Sequence, residues 1–159
     1  MPFLRHWKIA TCFAACSLFT IAALQQFAAR RELDGHIQEM AISGGGVLLV
    51  VSEADCAEAA PVSEAVAATL ATAGVRITAL VLPHGLGRMD ELLAAGNDHF
   101  PHFAVSGRVG PLLGRIGTPV AMAIGPSGRI GAAERYGLEG LAGAGGLARR
   151  LIASVEADR

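Results

Sequence analysis

The chain has 159 residues, a formal net charge of −1 at pH 7 and a hydrophobic fraction of 52%. This length accommodates one domain of ordinary size together with a short appendage. The near-neutral charge argues against nucleic-acid binding, which requires a basic surface.

An apolar segment near the N-terminus, Ile9–Ala29, accounts for much of the hydrophobic fraction. At a helical rise of about 1.5 Å per residue it extends roughly 30 Å, the thickness of the hydrocarbon core of a bilayer. We therefore predict that residues 1–29 form a membrane anchor helix that the mature protein retains. A cleaved signal peptide is the alternative, although the segment shows no convincing small-residue cleavage site. Basic residues flank both ends, and the free amino terminus favours a domain outside the cytoplasm.

Residues 30–45 are predicted to connect this anchor to a folded domain at residues 46–159. Within the connector, Leu33, Ile37 and Met40 have the spacing to continue the helix, and the glycines at 44–46 break it. The domain begins with alternating elements, as expected for strand–helix–strand units in an α/β sheet covered on both faces. They are a buried strand at Val47–Val51, a turn at Ser52–Asp55, a helix ending at Ala73 and a buried strand at Val75–Leu82.

The second half of the domain is predicted to hold shorter elements. In chain order they are a helix at Met89–Ala95, a strand at Phe103–Val105, a helix at Val109–Ile116, hairpin strands at Val120–Ile124 and Arg129–Ala133, and a helix within Gly146–Val155. The glycine-rich stretch Gly140–Gly146 is predicted to be a loose turn before that last helix. It lacks the glycine spacing of a phosphate-binding loop.

The dipeptide Thr118-Pro119 stands at the entrance of the first hairpin strand. A proline suits the first residue of a strand, and a cis bond there would fix a tight turn. The sequence Gly-Thr-Pro, followed by an apolar strand and a Pro-Ser-Gly turn, resembles the cis-proline loop and hairpin of the thioredoxin-like superfamily. We therefore expect a cis bond at Thr118-Pro119, opposite the turn at Ser52–Ala57.

The element order resembles the membrane-anchored periplasmic branch of that superfamily, which serves cytochrome c and methylamine dehydrogenase maturation. The resemblance covers roughly Gly46 to Val155. It implies a central mixed sheet flanked by helices, a location in the bacterial inner membrane with the domain facing the periplasm, and a cis-proline loop that docks a partner's backbone. The partner by analogy is a larger membrane complex, such as a respiratory dehydrogenase or oxidase.

The chain lacks the Cys-x-x-Cys dithiol on which the redox activity of this family depends. Cys56 is the one cysteine of the domain, and the residues three before and three after it are Glu53 and Ala59. Counting from the first strand makes it the nucleophilic first cysteine of the family, whereas counting back from Pro61 makes it the buried second one. Neighbouring acidic residues oppose thiolate formation at Cys56. Cys12 and Cys16 lie within the apolar segment and are interpreted as packing residues.

Two functions remain open from the sequence. The first is a non-catalytic accessory or assembly subunit of a membrane complex. The second is a single-thiol oxidoreductase or maturation factor acting through Cys56, with Thr118 and Pro119 as its docking loop. No cofactor or metal is expected, because His99 and His102 lack the further ligands that a metal site requires.

Overall fold

The structure is a computed structural model that describes residues 3–52, 56–83, 103–106, 109, 113, 117–137 and 140–159. Side chains are described at residues 20, 22–52, 59–83, 106, 109, 113, 117–137 and 140–159. The described elements are helices α1 (Phe3–Ile42), α2 (Cys56–Thr72) and α3 (Gly140–Glu156) and strands β1 (Gly46–Ser52), β2 (Arg76–Leu82), β3 (Phe103–Val105), β4 (Val120–Ile124) and β5 (Ile130–Arg135).

The five strands form one mixed sheet in the order β3-β2-β1-β4-β5. β1 is parallel to β2 and β2 is parallel to β3, whereas β4 is antiparallel to both β1 and β5. β1 and β4 are almost completely buried, because each is an apolar run with packed layers on both faces of the sheet. The predicted strands are confirmed with small shifts, the largest being the extension of the last strand to Arg135.

Two predicted helices fall partly or wholly outside the described residues. The predicted helix at Met89–Ala95 lies outside them entirely. For the one predicted at Val109–Ile116, the amide of Leu113 donates to the carbonyl of Val109 at 3.1 Å, and Gly117 donates to Leu113 at 2.9 Å. These bonds have the four-residue spacing of an α-helix, and they lead directly into the Thr118-Pro119 loop.

The sheet separates two apolar clusters. On one face, α2 and α3 pack over the sheet through side chains that include Val66, Leu70 and Leu151. On the other face, Leu33 and Met40 of α1 join Val109, Leu113 and the alternate residues of β1 and β4. The first cluster is therefore covered by α2 and α3, and the second is covered by α1.

Residues 30–42, predicted as part of a connector, form the last third of the continuous helix α1. Met40 is 2% exposed and Leu33 is 8% exposed, so this part of the helix packs into the core. Arg76 at the start of β2 adds polar contacts, donating to the Ser43 hydroxyl and, at 3.4 Å, to the Glu39 carboxylate. The prediction that the helix continues beyond the apolar segment is thus confirmed.

The predicted membrane span at residues 9–29 lies mostly among residues whose side chains are not described, so it stays a prediction. Within the described part of the chain, no helix has the length and apolar character needed to cross a membrane.

The predicted turn at Gly140–Gly146 is wrong, because α3 already begins at Gly140. Glycine is a poor helix former, but the helix buries Ala144 and Leu147 against the sheet and α2, and this packing overrides the weak propensity. The strand also approaches α3 closely near the other end of the helix. A Cβ atom at Gly131 would collide with Oγ of Ser154 and force that hydroxyl into another rotamer.

The turn between β4 and β5 is closed by a carboxylate that follows α3. Ser127 donates to Asp158 from its amide at 2.9 Å and from its hydroxyl at 2.6 Å. These two hydrogen bonds hold the pKa of Asp158 below its usual value of 3.8, and Arg129 lowers the pKa further through its charge. Gly125 leaves room for this contact, since a Cβ atom there would collide with Asp158.

Candidate functional site

The loop before β4 contains a cis peptide bond between Thr118 and Pro119, which confirms the prediction from the sequence. Gly117 precedes it with a φ of +78°, a backbone conformation that L-residues with a side chain rarely adopt. After the bond, the Pro119 carbonyl accepts a hydrogen bond of 3.2 Å from the amide of Tyr136. The loop is therefore held by the helical turn before it and by the segment that follows β5.

Strand register places this loop beside the C-terminal end of β1. Val50 pairs with Val120, so Ser52, the last residue of β1, lies at the same edge of the sheet as Pro119. The chain then leads to Cys56, the first residue of α2. Residues 53–55 and the side chain of Cys56 are outside the described part, so the proposed proximity of the thiol to the loop stays a prediction.

Arg135 is a neighbour of the cis-proline loop that sequence reasoning missed. Its guanidinium Nη2 donates to the carbonyl oxygen of Thr118 at 3.4 Å. A Cβ atom at Gly117 would lie 3.0 Å from Arg135 Cζ, so the arginine covers the position where other residues carry a side chain. Register explains this proximity, because Arg135 pairs with Val120 across the two hairpin strands.

Tyr136 joins the loop to α2 through the protein core. Its hydroxyl lies 2.9 Å from the hydroxyl oxygen of Ser63, which is fully buried. Its amide meanwhile donates to Pro119, so one residue contacts both the cis-proline loop and the helix that begins at Cys56.

Comparisons with known proteins reveal similarity at the level of structure. No family model matches the chain, and no curated protein matches it. A putative thiol:disulfide interchange protein DsbE from Chlorobium tepidum superimposes with a TM-score of 0.51 and 18% identity, covering 72% of this chain and 82% of its own. MTB DsbF superimposes with a TM-score of 0.46 and 19% identity, covering 70% and 81%.

The domain has a thioredoxin-like fold. The sheet order, the cis bond before β4 and the superposition on the Chlorobium protein agree on this point. At 18% identity the likeness extends to the fold alone.

A cleft of about 130 Å³ includes Gly137 in its wall, and a Cβ atom at Gly137 would lie 3.7 Å from Cγ of Pro119, so the cleft lies near the cis-proline loop. It lies between α2, the end of β5 and the first turns of α3, where Val62, Tyr136 and Leu147 supply apolar walls. Its rim carries Arg135 and Arg150, and Arg150 forms a 2.7 Å ion pair with Glu134. Sites for small molecules typically measure about 300–1,000 Å³, so this cleft is smaller than a typical ligand site.

Metal-ligand geometry is not found among the described residues of the thioredoxin-like domain, where no group of three or more His, Cys, Asp or Glu side chains converges. His99 and His102 lie outside the described residues, as do Glu53 and Asp55. The described site thus consists of the cis-proline loop, Arg135, Tyr136 and the adjoining cleft.

Proposed function

We propose that this protein is a membrane-anchored, periplasm-facing thioredoxin-like domain that acts by binding, as an accessory or assembly subunit of a larger complex of the bacterial inner membrane. One observation carries the proposal. The fold retains a cis-proline loop, but the sequence has no second cysteine three residues from Cys56. In the family that the sequence resembles, this loop docks the partner's backbone, so the proposal keeps the docking role and drops the disulfide exchange, which requires two thiols.

The chemistry of disulfide exchange explains why one thiol is insufficient for turnover. The first thiolate attacks a disulfide of the partner and forms a mixed disulfide, and a second thiol must then attack that bond to release the product. Glu53 and Ala59 occupy the two positions from which a Cys-x-x-Cys partner of Cys56 would act. A mixed disulfide at Cys56 would consequently persist until an external thiol resolved it.

The membrane anchor is supported by the apolar segment at residues 9–29 and by the described residues at its end. Leu24 and Phe27 are 63% and 66% exposed, although each is large and apolar. Both lie on α1, which continues without a break into the core of the domain. The nature of the complex, a respiratory dehydrogenase or oxidase, rests on analogy with the periplasmic maturation proteins that the sequence resembles.

Complementation of a strain that lacks the gene tests the binding role. Cys56→Ser should restore function, because the substitution is almost isosteric and preserves the docking loop. A secreted form without residues 1–29 should not restore it, and the full-length protein should fail to reduce insulin-type disulfides. Co-purification from native membranes in mild detergent would then identify the subunits that accompany the wild type and the serine variant.

A single-thiol oxidoreductase is the second candidate, and one observation favours it. Cys56 is the first residue of α2, and the N-terminus of a helix is where a thiolate is stabilised. Cys56 would attack a partner disulfide, releasing one of the partner's sulfurs as a thiolate, while Thr118 and Pro119 align the partner's backbone. If the serine variant folds normally but fails in complementation, this second function replaces the first.

A further inference from the structure

The C-terminal end of α1 marks one edge of the sheet. A Cβ atom at Gly128 would lie 3.6 Å from Cβ of Ala41, which puts this end of the helix against the turn between β4 and β5. Met40 likewise lies against Gly46, the first residue of β1. We call this side the hairpin edge, and the opposite side, where Pro119 begins β4, the cis-proline edge.

From the hairpin edge, α1 runs back along the sheet toward the cis-proline edge. Leu33 belongs to the buried cluster on this face of the sheet, which extends from Met40 and Ile124 near the hairpin edge to Leu113 and Val120 near the cis-proline edge. Between Ala41 and Ala29 the helix rises about 18 Å, whereas β4 with its flanking residues spans about 15–20 Å. A helix that runs along β4 over this length brings Ala29, which is 2% exposed, to the level of the cis-proline edge.

On the N-terminal side of Ala29, the helix α1 no longer packs against the domain. The side chains at residues 22–27 are all exposed, and they include the two large apolar ones at Leu24 and Phe27. Arg30 and Arg31, the two residues after Ala29, are also exposed. Arginines directly after an apolar helical segment are typical of the headgroup region, where their long side chains reach the phosphates.

We propose that the cis-proline edge is the membrane-facing edge of the domain, so that the segment it binds is the juxtamembrane part of a membrane protein and not a soluble polypeptide. The proposal rests on the membrane anchor of the proposed function. It adds that α1 is one rigid connection, which fixes the orientation of the domain. A partner segment would then have to enter the narrow space between Thr118-Pro119 and the lipid headgroups.

Fluorescence quenching on vesicles tests this orientation with a matched pair of labelling sites. Arg135 and Arg129 are both exposed. Arg135 ends β5 at the cis-proline edge, and Arg129 directly precedes β5 at the hairpin edge. In the full-length chain with its natural cysteines replaced, Arg135→Cys and Arg129→Cys each carry one fluorophore. The proteins are reconstituted in phosphatidylcholine vesicles that contain a lipid with a headgroup-attached nitroxide quencher.

The label at position 135 should be quenched roughly twofold or more above the label at position 129, since about 20 Å of strand separates the two sites. Equal quenching, or stronger quenching at position 129, would overturn the orientation while leaving the anchor intact. Vesicle flotation reports the anchor separately, and protein that fails to float would overturn both proposals. A flexible Gly-Ser insertion between Ala28 and Ala29 should preserve flotation and abolish the difference in quenching between positions 135 and 129. If that difference in quenching survives the insertion, the rigid connection is contradicted.

Discussion

Removing the hydroxyl group of Tyr136 should reveal how strongly the core couples the cis-proline loop to α2. The hydroxyl lies 2.9 Å from that of Ser63, and the two residues are 6% and 0% exposed. A hydrogen bond contributes about 0.5–1.5 kcal/mol net, and a buried group left without its partner costs about 1–3 kcal/mol. Because the Ser63 hydroxyl can turn to the carbonyl four residues earlier in α2, we expect Tyr136→Phe to lower the free energy of unfolding by about 1–2 kcal/mol.

A double-mutant cycle with Ser63→Ala separates this coupling from the effects of each single change. The double variant leaves neither hydroxyl without a partner, so its loss should fall short of the sum of the two single losses by about 1 kcal/mol. Urea denaturation of the full-length chain in mild detergent, followed by circular dichroism, measures all four proteins. Thr72→Ala removes an exposed hydroxyl from the same helix and should change stability by less than about 0.5 kcal/mol. Additive losses in the cycle would refute the coupling.

Three further substitutions follow from the backbone, the helix α1 and the hairpin turn. Gly117→Ala should destabilise the domain by about 1–2 kcal/mol, because Gly117 has a positive φ. The control Gly145→Ala, at an open position of α3, should stabilise the domain by about 0.5–1 kcal/mol, and chemical denaturation measures both variants. Met40→Ala should lower the free energy of unfolding by about 2–5 kcal/mol, as expected for a core residue. Ile42→Ala, at a residue that is 82% exposed, should leave the unfolding midpoint unchanged, and equal effects of the two substitutions would contradict the packing of α1 against the domain. Asp158→Asn should lower stability at neutral pH. Because the folded state depresses the pKa of Asp158, the difference in stability from the wild type should disappear as the pH falls below 3.8. A pH series of thermal unfolding checks this, and a difference that grows toward low pH would contradict it.

Local patterns in the sequence were sufficient to predict the strands, and the resemblance to the thioredoxin-like superfamily supplied the mixed sheet and the cis-proline loop. β1 and β4 are uninterrupted apolar runs, which have few alternatives to a strand buried on both faces. The cis bond was expected from the resemblance of Gly117-Thr118-Pro119 and the strand after it to the cis-proline loop of thioredoxin-like proteins. These features depend on residues close together in the chain, so their signals survive without knowledge of the tertiary contacts.

The contacts around the loop could not be predicted, because they join residues that are distant in sequence. Tyr136 and Ser63 are 73 positions apart, and neither has a local pattern that specifies the other. Arg135 reaches Thr118 because the hairpin register pairs it with Val120. The sequence predicted that this strand ends at Ala133, so Arg135 was not expected in the hairpin. The start of α3 was missed for a related reason, since packing against α2 and the sheet overrides the low helix propensity of its glycines.

The central position of β1 has a consequence for how the chain is made. Its parallel neighbour β2 follows in the chain directly after α2, whereas its antiparallel neighbour β4 emerges from the ribosome much later. Until then one edge of the most apolar strand has no partner within the sheet, and such edges readily pair with other chains. A chain interrupted before Val120 should therefore aggregate or require a chaperone, whereas one that includes β4 can complete the centre of its sheet.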